Sequence, residues 1–204
     1  KGSVKNKIVN YNVNKLKKKN KYTESQIRIY KYGLEATYSM ITKLTVVFIL
    51  SCFLNTFYET LYLTIIYTLV RSFAFGIHAS SNLHCWIITL IVYTLVPLII
   101  KSMYITNVYY YLIFVICSII IGIYAPADTP KRPLIHEEKR RRCKLVTIII
   151  ISMLFILSLV IKKDIITNAI LWSVIIEAIC INPLIYKITN TQYNNYRYYK
   201  IKSV

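Results

Sequence analysis

Glycine and proline are scarce in this chain, at 4 and 5 of 204 residues. A transmembrane β-barrel needs many turns between strands of alternating polarity, so the scarcity argues against one. No Gly/Ser-rich linker and no internal repeat of useful length marks a second domain or a repeat array. The five cysteines are an odd number without an extracellular pair, which argues against a disulfide scaffold. Carboxylates are few as well: 8 Asp plus Glu face 26 Lys plus Arg, a formal net charge of +18. Lys1-Gly2-Ser3 opens the sequence without an initiator Met. The basic stretch behind it lacks the short apolar region and small-residue cleavage site of a signal peptide.

Apolar bulk is abundant. Hydrophobic residues make up 56% of the chain, with mean hydropathy +0.48 beside a pI near 9.7. A soluble nucleic-acid binder spreads basic residues over a surface enclosing one modest core, and nucleic acid is not expected as a partner. Here the apolar residues form long blocks, such as Leu44–Leu54, Trp86–Ile100, Tyr109–Tyr124 and Leu145–Ile161. Blocks approaching ~17–25 residues suit the ~30 Å hydrocarbon core that a helix must cross. A soluble fold and a disordered chain are excluded. The expected fold is all-α: a polytopic transmembrane helical bundle of about six spans.

The spans can be placed and oriented. Residues 1–40 read as a basic N-terminus, 41–186 as the membrane domain and 187–204 as a polar, Tyr-rich tail. Apolar stretches run over 41–77, 84–101, 105–125, 145–161 and 165–186. The positive-inside rule puts residues 1–43, residues 126–144 and the tail in the cytoplasm, accounting for 22 of the 26 basic residues. Both termini then face inward, so 41–77 crosses an even number of times. Two short helices, Ile41–Phe57 and Thr60–Ile77, turning at Tyr58-Glu59, meet this, as does a re-entrant hairpin. Ahead of them, Thr23-Glu24-Ser25-Gln26 reads as a capping box. Ile27, Tyr30 and Leu34 recur behind it at helical spacing. This predicts an amphipathic helix lying on anionic membrane lipid.

Polar residues near spans carry the chemistry. Cys52, Cys117 and Cys180 sit inside apolar blocks, as small hydrophobes do, and Cys143 lies in the basic loop. Cys85 stands at a membrane boundary, seven residues after His78. On a straight helix that separation is about 10.5 Å, beyond the reach of a base that must take a thiol proton. His78 and Cys85 can pair only if the chain breaks at Ala79-Ser80-Ser81-Asn82, a run of turn and cap formers. Cys85 would then open a helix, where the dipole favours a thiolate. An incidental boundary cysteine competes with this reading. So does zinc held by His78, His84 and Cys85 with Cys143 or His136, although no regular ligand spacing supports a metal. The Pro-rich run 124–142, with Asp128, Arg140, Arg141 and Arg142, reads either as a stiff connector or as an electropositive surface for an acidic peptide.

Taken together, these segments resemble the accessory gene regulator B family, the integral-membrane cysteine endopeptidases of Gram-positive quorum sensing. The family pattern has an Arg, a Gly two residues before a His, and a Cys seven residues beyond that His. Arg71, Gly76, His78 and Cys85 stand at those positions. Ala125–Pro133 with its basic continuation is similar to the family's cytoplasmic loop, and Ile29–Glu35 to its N-terminal amphipathic segment. Phe75 departs from the pattern, since many members have a second Gly there. The resemblance implies catalysis by Cys85 and His78, support from Arg71 and Gly76, no cofactor, and a homodimer. It also implies a short pro-peptide substrate with an amphipathic leader and an acidic tail. The tail is removed, and the peptide closes on itself as a thiolactone or lactone. A peptide-binding membrane scaffold or small transporter is the non-enzymatic alternative, and Glu177, inside the last span, is its natural centre.

Overall fold

The computed structural model describes residues 4–17, 22–78, 81–103, 107–130, 133–161 and 163–196. Among these the chain runs α1 (Val4–Lys17), α2 (Glu24–Phe53), α3 (Phe57–Ala74), α4 (Asn82–Ser102), α5 (Asn107–Tyr124), α6 (Glu137–Val160), α7 (Asp164–Ile181) and α8 (Pro183–Ile188). Five of them, α2, α4, α5, α6 and α7, are long and apolar enough to cross a membrane. The protein is an all-α, multi-pass membrane protein. Its residues divide into two compact units, Lys1–Leu50 and Ser51–Val204.

In the first unit the expected capping box is present. The Thr23 backbone N–H donates to Gln26 Oε1 at 2.9 Å, and the Gln26 N–H donates to Thr23 Oγ1 at 3.4 Å. The amphipathic segment behind it is not a separate helix, however. It runs on into the first apolar stretch as one helix of 30 residues. Gly33 is the sole breaker in that interval, and one glycine costs a helix only ~1 kcal/mol. The basic N-terminus is helical too, as α1. Val9 and Val13 are buried, and Lys5 meets Glu35 at 3.4 Å.

The second unit is a bundle centred on α7, which packs most extensively against α3 and then α5. The turn before α3 falls at residues 54–56 rather than at Tyr58-Glu59. Asn55 takes φ 54°, a conformation Asn tolerates better than most residues. Glu59 is then free to sit in the first turn of α3, where the helix dipole favours an acid. Similarly, α6 starts at Glu137, so the basic run expected in a connector is helical. Two acids in its first turn and the pairs Glu137–Arg141 and Glu138–Arg142 suit a helix start. The last apolar stretch, expected to be continuous to 186, breaks at Asn182. Pro183 follows, and the residue before a proline is driven out of the α region. The Asn182 side chain caps α8 by accepting from the Leu184 N–H at 2.9 Å. Asn168 of α7 donates to the carbonyls of Ile100 and Met103 at 3.3 and 3.1 Å, closing the C-terminal end of α4 with a buried side chain.

Candidate functional site

Two consecutive residues with positive φ, Phe75 at 65° and Gly76 at 105°, end α3. The chain then runs non-helically through Ile77 and His78, and α4 resumes at Asn82. The break expected at Ala79-Ser80-Ser81-Asn82 ends one residue earlier, since Asn82 already opens α4. Ala79 and Ser80 lie outside the described residues. Ser81 caps α4, its hydroxyl accepting from the His84 N–H at 3.2 Å and meeting His84 Nδ1 at 2.8 Å. Cys85 follows in the first turn, half-buried, and its N–H donates to the Ser81 carbonyl at 3.1 Å. His78 is exposed.

Residues 75–77 are held from three directions. First, Phe75 and Ala127 form a parallel bridge. The Gly76 N–H donates to the Ala127 carbonyl at 2.7 Å, and the Ala127 N–H donates to the Ala74 carbonyl at 3.0 Å. Second, the Ile77 N–H donates to the Cys180 carbonyl of α7 at 3.0 Å. Third, the Arg71 guanidinium donates through one nitrogen to the Ile77 carbonyl. Its other branch lies 3.4 Å from Glu177 Oε2 and 3.5 Å from Oε1. Glu177 is fully buried. Gly76 is required twice over, since φ 105° disfavours a side chain and a β-carbon there would collide with the Arg71 guanidinium.

The Pro-rich run is therefore joined to the α3–α4 interval through Ala127. Its carbonyl also accepts from the Tyr186 hydroxyl at 3.1 Å. Next along, Asp128 is buried, and both its oxygens accept backbone N–H groups. Oδ1 takes Asn195 at 2.9 Å, while Oδ2 takes Tyr196 at 3.0 Å and Leu134 at 3.3 Å. Asp128 thus fastens the C-terminal segment to the loop. Of the three arginines, Arg140 is half-buried with its guanidinium 3.5 Å above the Tyr196 ring. Arg141 and Arg142 are exposed on α6, 3.9 and 3.8 Å from Glu137 and Glu138. Lys131, Arg132 and the tail beyond Tyr196 lie outside the described residues.

Arg71, Gly76 and Asp128 thus come together around one pair of loops, and Arg140 reaches that cluster through Tyr196. Sequence reasoning missed the pairing of Arg71 with Glu177. Its signal was available: two lone opposite charges, each inside an apolar block. The carboxylate that a transport reading favours is engaged by Arg71. Sequence reasoning also missed Cys180 and Tyr186, which act through a backbone carbonyl and a phenol that no motif marks. None of the five cysteines is in a disulfide. Among the described residues, no three His, Cys, Asp or Glu side chains gather as a metal would require.

Known proteins add to this geometry. Residues 6–181 match the model of the family described as Accessory gene regulator B. An AgrB-like protein of Clostridium acetobutylicum is 29% identical over 96% of this chain and 94% of its own length. Accessory gene regulator protein B of Staphylococcus aureus strain Newman is 32% identical over 84% of this chain and 89% of its own. A Listeria innocua AgrB-like protein is 30% identical over 83% of each. No solved structure is a significant match.

Proposed function

The chain belongs to the accessory gene regulator B family, and from that premise we propose that it is a cysteine endopeptidase of the cell membrane. Its substrate is a short quorum-sensing pro-peptide with an amphipathic leader and an acidic C-terminal tail. The observation that carries this reading is the anchoring of residues 75–77 directly ahead of His78, with Cys85 in the first turn of the next helix. Holding the residue before a general base suits proton transfer, where small misplacements are costly in rate.

In this mechanism His78 takes the Cys85 thiol proton, and the thiolate attacks the scissile carbonyl. The peptide C–N bond breaks, and the tail leaves as an amine carrying the proton from His78. The acyl group remains on Cys85 as a thioester. A thiol or hydroxyl of the same peptide attacks that thioester, His78 accepts the proton of the incoming group, and the ring closes. Cys85 leaves as a thiolate and is reprotonated. The thioester keeps the acyl group activated, so closure draws on no nucleotide or other cofactor. The positive-inside distribution of basic residues puts the site and both termini on the cytoplasmic side. The exposed Arg141 and Arg142 suit an acidic tail, the N-terminal basic unit suits anionic lipid, and the protein acts as a homodimer.

The test is capture of the acyl-enzyme. Incubation with an acid-tailed precursor peptide should add the mass of the truncated peptide to Cys85. Cys85→Ala should abolish both adduct and tail release while inserting normally, and Cys52→Ala and Cys117→Ala should process as wild type does. Tail release by inserted Cys85→Ala protein would sink the mechanism.

A further inference from the structure

We propose that Glu177 is a positioning residue for His78, acting through Arg71 and the Ile77 peptide group. This rests on the roles proposed above for His78 and Cys85. Ile77, the residue before His78, has its N–H held from α7 and its carbonyl held by Arg71 of α3, which is itself paired with α7. Its N–H donates to the Cys180 carbonyl at 3.0 Å. Its carbonyl accepts from one nitrogen of Arg71, whose other branch lies 3.4 Å from Glu177. Glu177 and Cys180 are three residues apart on α7, so they share a face of that helix. One turn of α7 therefore bears on both peptide groups flanking Ile77, directly on the first and through Arg71 on the second, which leads into His78.

Glu177 touches none of the reacting atoms. Its contribution is to give the Arg71 fork a fixed direction. A guanidinium is planar, so a carboxylate on one branch determines where the other branch points. Without that carboxylate, a largely buried cation has no counter-charge and moves toward other acceptors, releasing the Ile77 carbonyl. The pairing also accounts for the geometry at Gly76, where the absent β-carbon makes room for the guanidinium. An intramembrane pair is costly to keep, and here it fixes a loop rather than adding bulk stability.

The probe is iodoacetamide alkylation of Cys85 in the full-length, membrane-inserted chain, followed across pH and read at Cys85 by peptide mapping. His78→Ala first tests the underlying pair: it should slow alkylation and shift the pH profile. If it changes neither, the Cys–His reading itself fails. Given that slowing, Glu177→Gln should reproduce most of it, by roughly 10- to 100-fold, the scale on which displaced catalytic groups lose rate. It should add nothing further in an Arg71→Gln background. An alkylation rate and profile equal to wild type in Glu177→Gln would overturn the positioning role while leaving the Cys–His reading intact. Losses that multiply in the double variant would also overturn it, since the two residues would then act separately. Should Glu177→Gln fail to fold, the paired Arg71→Met, Glu177→Leu variant removes both charges and leaves neither stranded. It should show the same slow alkylation, and a wild-type rate there would equally refute the proposal.

Discussion

Gly76 holds φ 105° with the Arg71 guanidinium where a β-carbon would stand and the Cys180 carbonyl 3.1 Å away. Gly76→Ala therefore meets backbone strain of about 1–3 kcal/mol and must also push Arg71 off the Ile77 carbonyl. Processing should fall to background while insertion persists, and thermal unfolding in detergent should show a lowered midpoint. Phe75, at φ 65°, occupies the same glycine-favouring region yet is a buried aromatic. Strain in so sparsely populated a backbone region costs ~1–3 kcal/mol, whereas losing a buried Phe costs ~3–5 kcal/mol. Phe75→Gly should thus destabilise despite relieving the backbone. Asp128 offers a third case. A carboxylate accepting three backbone N–H groups is worth more than the sum of neutral bonds, and Asp128→Asn presents one acceptor oxygen where two are used. A loss of about 2–3 kcal/mol and rapid proteolysis near residues 190–196 are expected. At this scale the sequence was informative where a residue type has one use, as with Gly76 beside Arg71. It singled out Asp128 but not its anchoring role, because two of its three partners are backbone groups 67 and 68 residues away that leave no side-chain signature.

Helix α6 illustrates how a charge run divides its labour. Arg141 and Arg142 are exposed and near Glu137 and Glu138, contacts that are weak at a surface. Under the proposed function they remain available to an acidic peptide. Arg140 instead lies over Tyr196, beside the Asp128 anchor. Neutralising Arg141 and Arg142 together should weaken binding of an acid-tailed peptide roughly tenfold at low salt, and added salt should erase the difference within a Debye length of ~8–10 Å. Arg140→Gln should leave that salt dependence in place and loosen the C-terminal segment, which limited proteolysis reads directly. Element boundaries were partly legible beforehand. The capping box at Thr23 was visible because both of its bonds are local. The continuity of α2 was not, since an interfacial stripe and a span share the same helical period. The break at Asn182 was overlooked although Pro183 signals it, because hydropathy stays high on both sides.

For the whole molecule, composition alone identified a polytopic helical membrane protein, because the length of an apolar block is set by the bilayer. The way distant segments interlock could not be read so. Nothing periodic relates Gly76, Ala127, Cys180 and Tyr186, and only three-dimensional packing brings them together. Orientation is the property to test at this scale. In a cysteine-free background, single cysteines replacing Asn107 or Asp164, both exposed, should react with an impermeant maleimide on intact cells. One replacing Glu138, 89% exposed in its side chain, should react only after lysis. Labelling of the Glu138 position in intact cells would put the α3–α4 interval on the outer face.

The Asp128 anchor also has a consequence for synthesis. Asp128 leaves the ribosome 67 residues ahead of Asn195, an interval of roughly 3–13 s at ~5–20 residues per second. Throughout that time the Pro-rich loop has been made, while the strand of chain that clasps it has not. The spans can already be inserting, yet the loop that borders Gly76 has no closing partner. Competence is therefore a property of finished chains. A polypeptide stalled or cut before residue 195 should reach the membrane, keep its helices and, under the proposed function, fail to process peptide.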